Sequence, residues 1–194
     1  MPTTTESVAN ANANVKAPWL LARFAQGSIA AAVVADVFRM TAVRAGLASM
    51  VYVYAMTAAA VLFLVWLSRC RRNAELLSPG TAAVSGVWAV FAWLIPVVNL
   101  WVPRAFVANV QRASAGGEGK EPKRGLVNVW WGFLVAHTVV TAMGQLMGQG
   151  KSVPFIVLSA GLNFAAAALV IRVIQHITEL QSAALSDLTS AVTA

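Results

Sequence analysis

MVYVYAMTAAAVLFLVWLS, residues 50–68, runs for nineteen residues without a charge, and RCRR at 69–72 follows at once. As a helix it rises about 28 Å, close to the ~30 Å hydrocarbon thickness of a bilayer. Three arginines in four positions, Arg69, Arg71 and Arg72, are the flank expected where such a segment leaves the membrane on its cytoplasmic side. The stretch therefore decides the class: an integral membrane protein built from helices.

Composition agrees. With 59% hydrophobic residues, 11% charged residues and a mean hydropathy of +0.70 over 194 residues, too little polar material exists to cover a water-soluble domain. The net charge of +7 does not indicate a nucleic-acid partner, because the fourteen Lys and Arg sit mostly in short connections between apolar runs. Cations so placed face anionic lipid, so the first partner expected is the bilayer itself. The single cysteine, Cys70, excludes an internal disulfide. Arg69 and Arg71 beside it would favour a reactive thiolate, but no His or Asp partner accompanies it in the sequence.

Outward from residues 50–68, four more apolar runs are expected at about 19–38, 81–102, 127–147 and 153–174. Together they define a membrane domain over 18–176, between a disordered polar N-terminal tail at 1–17 and a polar C-terminal tail at 177–194. The tail at 1–17 lacks the basic segment of a secretory signal, so the first run reads as an uncleaved helix. The helix through 50–68 should continue to Leu77, before Ser78, Pro79 and Gly80 turn the chain. Residues 104–114 read as a short interfacial helix, 116–125 as a charged loop, and Trp130 with Trp131 as part of an aromatic belt.

The run at 81–102 is long enough to cross, yet Pro96 removes a backbone donor within it and Pro103 closes it. Positive charge tests the alternatives. With five crossings, Lys16, Arg23, Arg69, Arg71, Arg72 and Lys151 share one side and the remaining eight cations the other. If the run re-enters and returns, eleven cations lie in the cytoplasm and only Arg39, Arg44 and Lys151 outside. Charge asymmetry favours the re-entrant form, with both termini cytoplasmic; hydropathy favours a fifth span. The expected fold class is an all-α integral membrane bundle of four transmembrane helices plus one re-entrant or fifth spanning helix.

FLVWLSRCRRNAE at Phe63–Glu75, WAVFAWLIPVVNLWVPRAFVANVQRAS at Trp88–Ser114, and the Trp130–Trp131 pair resemble the bacterial membrane family catalogued as domain of unknown function 4328. The resemblance covers residues 20 to 175 approximately, and its most specific part is the block of Pro96, Asn99, Leu100, Trp101 and Pro103. It implies a multi-pass membrane protein of unassigned activity and brings no catalytic or ligand residue with it.

The residues themselves offer four intramembrane polar candidates: Asp36, Asn99, His137 and Asn163. Asp36 is a carboxylate inside an apolar run, a functional candidate by default, although Arg39 one turn away and a nearby interface would also account for it. Asn99 follows the break at Pro96 and either lines a cavity or caps freed carbonyls. His137, with no second ligand at metal spacing, reads as an interhelical hydrogen-bonding group, and Asn163 likewise. The sequence GQGKS at 148–152 fails as a phosphate loop, since Gln145 stands where Gly is required. Gly144 with Gly148, and Gly161 with Ala165, are small-residue pairs suited to helix packing or a homo-oligomer face.

No enzymatic constellation, metal set or cofactor motif emerges. Two functions are expected instead. One is a non-enzymatic anchor, scaffold or regulator in the cytoplasmic membrane, whose partner meets a basic face of Arg69, Arg71, Arg72, Arg104, Arg112, Lys120, Lys123 and Arg124. The other is a small transporter or channel with a polar path through the bundle. Both require hydrocarbon as solvent: after lysis the chain should sediment with membranes, resist high salt and be released by detergent, whereas recovery in a detergent-free supernatant would end both readings.

Overall fold

A computed structural model of the protein describes residues 17–41, 45–77, 102–115 and 124–193. They form α1 (Trp19–Thr41), α2 (Ala45–Leu77), α3 (Val102–Ser114), α4 (Arg124–Leu146) and α5 (Val153–Thr193), with no strand among the described residues. Four of these helices, α1, α2, α4 and α5, are long and apolar enough to cross a membrane. Segments 1–16 and 78–101, with Pro96 and Asn99, and segment 116–123, with Lys120 and Lys123, lie outside the described residues.

Local chemistry sets the helix ends. Proline sits at or next to three starts, Pro18 before α1 and Pro103 and Pro154 in the first turns of α3 and α5, where no intrahelical donor is lost. At the end of α4, Gly148 takes φ 67°. Gln149 N–H donates to Gly144 O at 2.9 Å and Gly148 N–H to Gln145 O at 3.2 Å, a paired C-terminal cap. Gly148 therefore serves the turn and not helix packing. Its expected companion Gly144 does pack, since an added Cβ would meet Phe155 at 3.0 Å. Gly161 is exposed, with open space at its Cβ direction, so it does not pack inside the bundle as expected.

α1 pairs with α2 and α4 with α5, and the two hairpins join through α1 and α5. The densest core lies toward one end, where Phe63, Trp66, Val107, Trp130, Ile174 and Ile177 meet. Here the second half of α2, the start of α4 and the second half of α5 are bridged by α3. α2 thus ends, and α3 and α4 begin, at the same end of the bundle.

Trp130 and Trp131 are 4% and 7% exposed, so they belong to this core instead of a lipid-facing belt. Trp130 lies 6.1 Å from Phe63 and 5.4 Å from Trp131, centroid to centroid. The indole of Trp66 donates to Thr178 Oγ1 at 3.2 Å, satisfying a donor that burial would otherwise orphan.

Residues 177–194, set apart in sequence as a polar tail, continue α5 without a break to Thr193. Val173, Ile174, Ile177, Thr178 and Gln181 follow helical spacing along one face, all buried. Gln181 donates to Cys70 O at 2.7 Å and Ser114 Oγ at 2.9 Å, and accepts from Asn73 Nδ2 at 3.1 Å. One amide thereby joins α5, α2 and α3. The thiol of Cys70 is enclosed at the same place, so the arginines beside it in sequence do not make it an accessible nucleophile.

Replacing this amide by an apolar group of similar length strips partners from buried atoms. Gln181→Leu is expected to lower stability by about 1–3 kcal/mol, whereas Gln175→Leu, at a half-buried position whose amide bonds Glu179 one turn on in the same helix, should change it by less than about 0.5 kcal/mol. Thermal unfolding of both variants in one detergent checks the difference, and equal midpoints would contradict the role given to Gln181.

Candidate functional site

A carboxylate removed from water needs a counter-charge or several donors, or burial is prohibitive. Asp36 obtains both. It is fully buried in the last turns of α1, not solvated at the interface as expected from sequence. Three residues on, Arg39 reaches back, with Nη2 at 2.6 Å and Nε at 3.2 Å from Oδ1. Asn163 of α5 donates to Oδ2 at 2.7 Å. The guanidinium of Arg39 also lies 4.7 Å from the centre of the Tyr52 ring on α2, in cation–π range. This cluster ties α1, α2 and α5 together, and Arg39–Asp36 is the one ion pair among the described residues.

A second polar cluster joins α4 to α5. His137 Nδ1 lies 3.0 Å from Ser159 O, and because a carbonyl only accepts, that bond puts the ring proton on Nδ1. Ser159 Oγ is 3.2 Å from the same nitrogen and 2.9 Å from Thr141 Oγ1.

Both clusters border cavities. One, of about 470 Å³, lies between α2 and α4 over a floor of α1 and α5, and is lined by His137, Thr141, Asn163 and Tyr52 among mostly apolar side chains. The other, of about 190 Å³, lies where α1 ends and α5 begins, and is lined by Arg39, Lys151, Ser159 and Thr141 among others.

Three of the four intramembrane candidates thus converge: Asp36 and Asn163 bond directly, and Asn163 and His137 line one cavity. The basic candidates among the described residues lie at the opposite end of the bundle. Arg69, Arg72 and Arg112 are exposed there, Arg71 lies 5.9 Å from the Phe106 ring, and Arg104 Nε donates to Asn128 Oδ1 at 2.9 Å. Arg124 opens α4, and Pro103 is buried in the first turn of α3.

Sequence reasoning missed Tyr52, Ser159 and Lys151. A serine or tyrosine in an apolar run carries no spacing signal, because its partner sits on another helix. Among the described residues no three His, Cys, Asp or Glu gather as a metal site would require.

Since Asn163 satisfies one oxygen of a buried carboxylate, Asn163→Leu is expected to lower stability by about 1–3 kcal/mol. Asn163→Asp, which sets a second carboxylate against the first, should be worse. Unfolding midpoints in a common detergent decide, and an unchanged midpoint for Asn163→Leu would show that the bond does not matter.

A family model described as Domain of unknown function (DUF4328) matches residues 29–179, a segment containing both polar clusters. No curated protein and no solved structure matches the chain. With four helices of membrane-crossing length and a family match over most of its residues, the chain belongs to the DUF4328 family, whose activity is unassigned.

Proposed function

We propose that the protein is a non-enzymatic component of the cytoplasmic membrane that anchors or regulates a partner through its arginine-rich end. One observation carries this reading: the division of charge between the two ends. Among the described residues, Arg23, Arg69, Arg71, Arg72, Arg104, Arg112, Arg124 and Arg172 fall toward one end, against Arg39 and Lys151 at the other. Such asymmetry supports the orientation in which the arginine-rich end faces the cytoplasm.

Exposed Arg69, Arg72 and Arg112 have no carboxylate partner among the described residues. Guanidinium groups without partners suit an acidic protein surface as well as anionic lipid.

A small transporter or channel is the second reading, favoured by the meeting of Asp36, Asn163 and His137 beside one cavity. It stands second because those groups answer one another: Asp36 is held by Arg39 and Asn163, and His137 by Ser159.

Cysteines introduced singly at Arg112 and Lys151 test orientation, with little background expected from buried Cys70. A membrane-impermeant maleimide applied to intact cells should label the Lys151 site and spare the Arg112 site; the reverse pattern would overturn the orientation. A photo-crosslinking side chain at Arg72 or Arg112 should then yield one discrete protein adduct, lost when Arg69, Arg72 and Arg112 are all changed to Glu. Adducts to lipid alone would overturn the partner proposal.

A further inference from the structure

We infer that the bundle binds one anionic, hydrocarbon-tailed lipid, its tail between α2 and α4 and its head against Arg39 and Lys151. This goes beyond the partner reading and does not depend on it, since it concerns the opposite end of the molecule.

The larger cavity, about 470 Å³, is within the size range of small-molecule sites, roughly 300–1,000 Å³. It exists because alanines, including Ala59, Ala60 and Ala142, stand where larger side chains would close the gap between α2 and α4. Met56, Ala60, Thr138 and Ala142, which line it, are exposed on membrane-crossing helices. The mouth therefore opens sideways toward lipid. Among the described residues no charged one lines this cavity, so its natural occupant is a hydrocarbon chain.

The smaller cavity, about 190 Å³, has the opposite chemistry. Arg39 and Lys151 line it, no carboxylate does, and Gln145 and Ser49 add hydrogen-bonding groups. Asp36 engages Nε and Nη2 of Arg39, which leaves other guanidinium protons for a ligand. Lys151 is exposed and makes no hydrogen bond or ion pair among the described residues.

The two cavities share Thr141 as a wall. Along the bundle axis the cationic cavity lies at the end, with Lys151 in the α4–α5 connection, and the apolar one lies deeper, level with His137 and Asn163. Cationic at the surface and apolar toward the midplane is the order in which an anionic lipid presents its own parts. A free anion would leave the deeper cavity unexplained, and a neutral lipid would leave Lys151 unanswered.

Full-length protein, purified in mild nonionic detergent and delipidated, is titrated with three probes and read by native mass spectrometry. The probes are phosphatidylglycerol, phosphatidylcholine with the same chains, and glycerol 3-phosphate, which carries the charge without the tail. Phosphatidylglycerol should bind one per chain and about tenfold more tightly than phosphatidylcholine, with no competition from glycerol 3-phosphate. Lys151→Glu should remove that preference, and Ala142→Trp, filling the mouth, should weaken both lipids by about tenfold. Thermal unfolding is recorded for every variant, and Thr138→Phe supplies the same reading if Ala142→Trp does not fold. Equal binding of the two lipids by the unaltered protein would overturn the head assignment. Competition by glycerol 3-phosphate at lipid-like concentrations would reduce the site to one for free anions, and undiminished binding in a folded mouth-filling variant would overturn the placement of the tail.

Discussion

Hydrocarbon supplies no hydrogen-bond partner, so each polar group carried into the bundle has to be answered by another group of the same chain. In this protein most of the answers that cross between helices come from one helix. Asn163 of α5 meets Asp36, Ser159 meets His137, Thr178 meets the Trp66 indole, and Gln181 meets Cys70, Asn73 and Ser114. Gln26 of α1 adds a bond to the backbone oxygen of Ile171. These contacts are strung along α5 from Ser159 near its start to Gln181, and they set the height and rotation of every other long helix against it.

Apolar packing alone would not do this. In lipid, an outward leucine is as well solvated as an inward one, and the exposed Val53, Tyr54, Leu146 and Val157 show how much apolar surface faces outward. Register therefore rests on polar contacts and close approach. Gly144 against Phe155 is the clearest close approach. Where α2 and α4 carry alanines and no polar pair spans them, the helices stand apart and a cavity remains. The polar clusters and the empty space are two results of the same rule.

Charge follows a different logic from packing. The arginines gather at the end where α3 bridges α2, α4 and α5, and three of them project without a partner among the described residues. At the far end two cations surround a small cavity. One end thus exposes several cations, and the other holds two around a small cavity.

A helix long and apolar enough to cross a membrane was legible from residues 50–72 alone, because nineteen residues pass there without a charge before the arginines begin. Helix positions followed from the same pattern, and i, i+3 spacing made the Asp36–Arg39 pair readable in advance. Composition misled where burial depends on neighbours: the polar look of 177–194 concealed Thr178 and Gln181, whose partners lie about a hundred residues away, and Trp130 and Trp131 read as lipid-facing until α3 and α5 covered them. Sequence thus determined the helices and their membrane-crossing length, which depend on near neighbours along the chain. Tertiary structure decided which polar residues meet, which small residues touch and where space is left, because those depend on the rotation of one helix against another, and no local pattern encodes that angle.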